Sequence, residues 1–267
     1  MSQPVIHLTF PATVTQRARE VLEPFLPHDP EISPISTPDP ANRRLLLHPR
    51  VTASSDLPEA VQNDCAALGG VWGIGDLGQL TAAQRVRLFT VVFFSRSRLS
   101  PALQHGLPRT WRQVLSNFYP ADLVIDGAPY ASIEHYFQGQ KALCSDRPEI
   151  AAWFRSDTTG PDAIDPEPLA AKKAGGKGAY RRIGATLDPA VWEQQRVTVT
   201  RTALTARWEQ DALYRAVLHS TRGLNLLHFE RAGARSFWGG SLRKVDGQPQ
   251  GGNQLGKMLT ALREQRP

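Results

Sequence analysis

Glu134, Gln138 and Lys141 stand four and seven residues apart in the segment SIEHYFQGQKA. On a helix advancing about 100° per residue these positions share one face, so a carboxylate, an amide and an amine line up. The same spacing describes a solvated face carrying an ordinary Glu–Lys pair, and periodicity alone favours that reading. The flanking residues shift the balance. Ile133, Tyr136, Phe137 and Leu143 surround the face with apolar and aromatic groups, which withdraws part of it from water. An acid partly removed from water beside an amine is where pKa values move, and acid–base exchange is the chemistry such a pair would serve.

The elements that must position this face are legible from local signals. Ser132 is a candidate N-cap for a helix running to about Leu143. Ahead of it, Leu123 to Ile125 reads as a strand entering a tight turn at Asp126-Gly127. Asp188 followed by Pro189 predicts the start of a long helix that ends near Gly223, with a break expected near Asp211. GGNQLGKMLTALREQ reads as a glycine-rich loop feeding a last amphipathic helix, and the apolar run FTVVFF as an internal strand. The N-terminal part differs in texture. VIHLTF and RRLLLHPRV read as short strands, VTQRAREVLEPFL as a helix between them, and the proline-rich HDPEISPISTPDP as irregular chain. The expected organisation is a small α/β accessory region over 1–85, then a mainly helical α+β domain over 86–266. No internal repeat is visible.

Bulk properties limit the function classes. With 41% hydrophobic and 21% charged residues in a chain of 267, the composition is that of a globular protein. No apolar run approaches the roughly 20 residues of a membrane helix. MSQPVIHLTFP has no basic region leading into a long apolar segment, so no secretory signal is read and the cytoplasm is the expected location. Cys65 and Cys144 have no metal-ligand spacing; the pair fits a reducing compartment and leaves a single bridge open. Lys and Arg number 31 against 25 Asp and Glu, and the pI of 9.6 favours a polyanionic ligand, although net charge alone names none. More specific is the stretch from Lys172 to Arg182. It holds Lys172, Lys173, Lys177, Arg181 and Arg182 among Gly175, Gly176 and Gly178, with no acid, and suits phosphate.

LSNFYPADLVIDGAPYASIEHYFQGQKA, residues 115–142, resembles the opening signature of the NADAR superfamily: a Ser-Asn-Phe-Tyr turn, a strand, then a Glu-His-Tyr helix closing on Gln-Lys-Ala. Further similarities follow in order. They are AKKAGG at 171–176, Trp192, the spacing through Leu204, Trp208, Leu213 and Leu218, the Trp238-Gly239 pair, and GGNQLGKML at 251–259; VVFFSRS at 91–97 is similar to the family's first strand. An ordered series is specific where any single motif is weak. The chain departs from the pattern twice. Arg235 and Ser236 occupy the stretch where the family usually has an acid before its Trp-Gly pair, and Gly175-Gly176-Lys177 replaces its usual Gly-Arg.

The resemblance implies hydrolysis of a bond between ribose C1′ and a nitrogen, without a cofactor or metal. The substrate is then either ADP-ribose attached to guanine in nucleic acid or a phosphoribosylamine of riboflavin synthesis. It further implies Glu134 as the group that stabilises charge at C1′ or protonates the departing nitrogen, and Lys141 as a nucleophile able to hold the opened sugar as a Schiff base. Trp192, Trp238, Phe118, Tyr119 and Tyr136 are candidates to stack on a base or flank the ribose; core packing is the alternative for each. Asn117 and Asn253 are candidate phosphate or sugar contacts, with turn capping as their alternative. Gln138, Lys172, Lys173 and Gly239 complete the expected substrate-binding set. Gly239 and Gly240 after Trp238 suggest a place where backbone approaches a ligand closely, and Gly251, Gly252 and Gly256 a helix starting against a ligand or another backbone.

Other signals lead elsewhere. Gly73, Gly75 and Gly78 match a dinucleotide-binding pattern by letter, but Arg96 and Arg98 stand where an acid would hold ribose, and a turn is the better reading. The histidines show no metal pairing, and His135, about 100° round the helix from Glu134, reads as a packing or hydrogen-bonding residue. Two readings compete with the enzyme: a module that binds ADP-ribose without cleaving it, and a partner-interaction role for the N-terminal region.

Overall fold

The computed structural model describes residues 5–27, 34–35, 41–47, 51, 53–75, 80–100, 106–176 and 178–265. Lys177, Gly78, His28, His48, His105 and most of the proline-rich run lie outside them. Helices outweigh strands in an α+β fold. The chain forms two compact units, Met1–Arg112 with His219–Thr260 and Gln113–Leu218 with Ala261–Pro267. The units cut the chain elsewhere than residue 85, because strand Thr90–Phe93 pairs with Asn225–His228 inside the first.

In the first unit, Val5–Pro11 is flanked by Asn42–Leu46 on one side and Val71–Gly75 on the other, both antiparallel to it. Successive strand residues face opposite sides, so Ile6, Leu8 and Phe10 enter one core together with Ala18, Leu22 and Cys65 from helices Thr15–Leu22 and Glu59–Ala67. Two sequence readings are corrected here. Gly73 and Gly75 belong to a strand, not a turn; a Cβ on Gly73 would come within 2.5 Å of His7 Nε2, so the glycine that hides the strand's alternation is the one that admits the His7 ring. Pro34–Ile35, within the run expected to be irregular, pairs with Leu45 and Arg44 at the sheet's edge, where proline's missing N–H is tolerated. Thr90–Phe93 and Asn225–His228 form the parallel pair, with Val91 and Phe93 fully buried. Among the described residues no helix is long and apolar enough to cross a membrane.

The second unit is organised around helix Ile133–Ala142, which packs on the 3-10 segment Pro148–Phe154 and on helices Pro168–Ala174 and Pro189–Gln210. Hairpin Leu123–Ile125/Ala128–Tyr130 precedes it, turning through Asp126 at φ 51° and Gly127 at φ 75°, the left-handed pair that matches strand twist. Tyr136 Oη donates to Asp126 Oδ2 at 2.7 Å, fastening the turn to the helix. Asp188 caps the long helix by accepting from Ala190 and Val191 N–H, with Pro189 at its first position. That helix stops at Gln210, and Asp211 Oδ1 accepts from Tyr214 N–H to open helix Ala212–Ser220, so the break falls where the sequence placed it.

Ser132 is the N-cap of the central helix and is fully buried. Its Oγ accepts from His135 N–H at 3.3 Å and lies 2.8 Å from His135 Nδ1, while Nε2 is 3.0 Å from the Asp165 carbonyl. A carbonyl can only accept, so Nε2 carries the proton and Nδ1 accepts from the Ser132 hydroxyl. Burial lowers the His135 pKa from its ordinary 6.5, against the smaller opposing effect of the bond to Asp165. The native state thus declines a proton that the unfolded chain takes up, and its stability falls as pH drops below 6.5. Urea titrations on either side of that pH should show this fall flattened in His135→Gln; an unchanged pH dependence would remove His135 as a source of it.

Candidate active site

The structure brings Glu134, Gln138 and Lys141 together on the central helix. Glu134 and Gln138 are 7% and 6% exposed, and Lys141 is half-buried. Gln138 Nε2 donates to Glu134 Oε1 at 2.8 Å. Lys141 Nζ donates to the Gly175 carbonyl at 2.7 Å and lies 5.8 Å from the centre of the Tyr180 ring. Burial lowers the Lys141 pKa from its ordinary value, while the nearby Glu134 charge raises it in part. Burial has the larger effect, so the amine gives up its proton more readily than a surface lysine does. The arrangement is a carboxylate oriented by an amide, beside an amine prepared to lose a proton.

Gly175 makes the cluster sterically possible. A Cβ there would fall 2.0 Å from Gln138 Oε1, so only glycine lets the Gln138 amide and the Lys141 acceptor occupy the same place. The sequence shows Gly175 in a basic, glycine-rich stretch and at a departure from a pattern; the contact it makes with Lys141 is 34 residues away.

The Ser116–Tyr119 turn lies against the start of the helix, with Glu134 N–H donating to the Asn117 carbonyl at 3.2 Å. Asn117 Oδ1 is buried without a hydrogen-bond partner among the described residues. Phe118 is half-buried, with Lys172 Nζ 5.1 Å from its ring centre, and Tyr119 faces the Arg207 guanidinium at 5.2 Å. Lys172, Lys173, Arg181 and Arg182 are exposed. Tyr136 is 2% exposed, edge-on to Tyr130, with its hydroxyl engaged by Asp126. Trp192 is 6% exposed and edge-on to Phe137 at 4.8 Å, which joins the first turn of the long helix to the central one. An open groove of about 690 Å³ lies beyond the far end of the central helix, lined by Leu143, Cys144, Asp146, Thr186 and Asp188 among others. Its carboxylates accept from the backbone N–H groups of Thr186, Ala190 and Val191.

Trp238, Gly239 and Asn253 belong to the first unit. Trp238 is half-buried, with Phe237 edge-on at 5.0 Å. The glycines beside it make room for the chain's own backbone. A Cβ on Gly239 would meet the His228 carbonyl at 2.4 Å, and one on Gly240 the Gln250 carbonyl at 1.9 Å. Gly256 likewise makes room for the Leu226 carbonyl, the backbone alternative for that segment. Asn253 accepts from His228 N–H at 3.0 Å and donates to the Leu226 carbonyl at 2.8 Å, so both ends of its amide clamp strand Asn225–His228.

Comparison with known proteins places this geometry. The NADAR domain model matches residues 108–265. The chain belongs to the NADAR family. N-glycosidase YbiA of Escherichia coli is 31% identical over 150 residues, 56% of this chain and 79% of that protein. N-glycosidase Npun_R5314 of Nostoc punctiforme is likewise 31% identical, over 83% of its length. The NMR structure of Escherichia coli YbiA covers 66% of this chain and 83% of its own at 28% identity, with a TM-score of 0.46. The enzyme class follows from family and relatives together: a hydrolase acting on N-glycosyl bonds.

Gly175→Ala tests the cluster. The added methyl must displace Gln138 or the Gly175 carbonyl, which costs about 1–3 kcal/mol of stability by overpacking and releases Lys141 from its acceptor. The expected result is a folded protein with much reduced turnover, seen in a thermal melt alongside an N-glycosidase assay. Full turnover would show that neither the amide nor the acceptor needs its present place.

Proposed function

We propose that the chain removes ADP-ribose from guanine bases of nucleic acid by cleaving the ribose C1′–N bond, with Glu134 and Lys141 at the centre. The observation that carries this reading is the buried carboxylate–amide–amine face, in which desolvation lowers the Lys141 pKa while Gln138 holds Glu134. Cleavage develops positive charge at C1′ and requires a proton on the departing nitrogen. In one route Glu134 stabilises the charge as an anion and guides water to C1′. In the other, neutral Lys141 forms the Nζ–C1′ bond as the C1′–N bond breaks, and the base leaves with one of the two protons of Nζ. The sugar ring then opens to a Schiff base, with O4′ taking the proton from Nζ, and water restores the aldehyde and the free amine. The hydrogen bond to Gly175 uses one Nζ–H and leaves the nitrogen lone pair of the neutral amine available. Exposed Lys172, Lys173, Arg181 and Arg182, with a net charge of +6, support a polyanionic substrate.

Turnover of a guanine-ADP-ribosylated oligonucleotide, but not of the phosphoribosylamino-pyrimidine of riboflavin synthesis, is the expected result; the reverse would transfer the same chemistry to the small molecule. Tight ADP-ribose binding without turnover of either would make the domain a binding module. Glu134→Gln should abolish cleavage and leave the fold intact. On the Schiff-base route, borohydride traps an adduct that is missing in Lys141→Ala, and the rate rises with pH through a Lys141 pKa below the ordinary 10.5. Absence of an adduct would leave Glu134 acting through water.

A further inference from the structure

The end of the long helix Pro189–Gln210 holds a charge that the N-glycosidase chemistry does not use. Arg207 is fully buried. Its Nε pairs with Asp211 Oδ2 at 3.1 Å, and Nη1 donates to the Ser116 carbonyl at 3.1 Å. The guanidinium lies over two aromatic rings, 4.4 Å from the centre of Tyr214 and 5.2 Å from that of Tyr119. Nη2 is buried with no hydrogen-bond partner among the described residues. Three residues on, Gln210 grips Val124, accepting from its N–H and donating to its carbonyl at 2.8 Å each. One helical turn thus fixes both ends of the segment that runs from Ser116 to Val124.

Burying a guanidinium is a poor way to gain stability. Desolvation offsets most of the attraction to Asp211, and a well-packed apolar side chain is often as stable or more so. What the planar, forked group supplies is direction: one edge to a carboxylate, another to a chosen carbonyl, and its faces to aromatic rings. Both of its contacts toward the chain's earlier half, Ser116 and Tyr119, bracket Asn117 and Phe118. The Asn117 carbonyl in turn accepts the Glu134 N–H at 3.2 Å. We propose that Arg207 is a positioning residue for the reaction: it sets the Ser116–Tyr119 turn against the start of the catalytic helix, and so the place of Asn117 and Phe118 relative to Glu134. The proposal rests on Glu134 being the catalytic carboxylate and on the turn touching substrate.

The experiment compares Arg207→Lys, Arg207→Met and Glu134→Gln with the wild-type chain, using whichever N-glycosidic substrate the wild type turns over. Circular dichroism and thermal melting report the folded fraction. Lysine keeps the charge and reaches one partner at a time; methionine removes the charge at similar length. Displacement of the turn should raise KM and lower kcat/KM by roughly ten- to a hundredfold in folded Arg207→Lys, and by more in Arg207→Met, as misplacement by about an ångström does elsewhere. A purely structural role would lower kcat only as the folded fraction falls and leave KM unchanged, and that result, or wild-type kinetics in folded Arg207→Lys, would overturn the proposal. Should Arg207→Met fail to fold, Arg207→Lys decides. Glu134→Gln judges the other reading separately: full activity there removes Glu134 from the chemistry, whereas an inactive Glu134→Gln beside a kinetically normal Arg207→Lys defeats only the positioning role.

Discussion

Withdrawal of one helix face from water is the constraint that the second unit answers to. A carboxylate, an amide and an amine on a solvated helix make an ordinary surface; buried, each must find a partner or change its protonation. Gln138 satisfies one oxygen of Glu134, and the Gly175 carbonyl takes one proton of Lys141. The same burial that demands these bonds lowers the Lys141 pKa. The need for partners and the lowered amine pKa at this face therefore have a common origin in burial.

The supporting elements follow from that demand. A buried helix start needs its first N–H groups satisfied, and here Ser132 takes that of His135 while the Asn117 carbonyl takes that of Glu134. His135 is then held as the neutral tautomer between Ser132 and Asp165, and is committed to scaffold. Tyr136 anchors the preceding hairpin through Asp126. Of the four consecutive buried residues Ile133 to Tyr136, His135 and Tyr136 fasten the helix to Asp165 and to the hairpin, while Glu134 accepts from Gln138.

What the sequence revealed was what local chemistry dictates. The Ser132 cap, the Asp126-Gly127 turn, the Asp188-Pro189 start and the break at Asp211 each lie within a few residues of the feature they determine. The alignment of Glu134 with Lys141 was visible for the same reason. Gly175 and Arg207 were not visible, because their roles depend on partners 34 and 91 residues away. A pattern of spacing cannot show that a glycine makes room for a distant amide. Gly73 misled for a related reason: a residue without a side chain leaves a gap in strand alternation, and here the gap is filled by His7 from the neighbouring strand. Asn253 read as a phosphate or sugar contact with turn capping as its alternative, and its amide bonds Leu226 and His228 of a strand some 25 residues earlier.

The departures from the family pattern take on different weights in this light. Replacement of the usual Gly-Arg borders a stretch in which Lys172, Lys173, Arg181 and Arg182 are exposed, where attraction for an anion rests on charge more than on any single side chain. Gly175 lies within the same departure but is the part that the buried cluster requires, since its carbonyl receives Lys141 and its missing side chain admits Gln138. At Arg235 and Ser236 the usual acid is gone, but a carboxylate still reaches this turn: the Ser236 hydroxyl donates to Glu230 and accepts from Gly239 N–H at 2.8 Å. A turn without the usual acid is thus tied through the Ser236 hydroxyl to a carboxyl group six residues earlier.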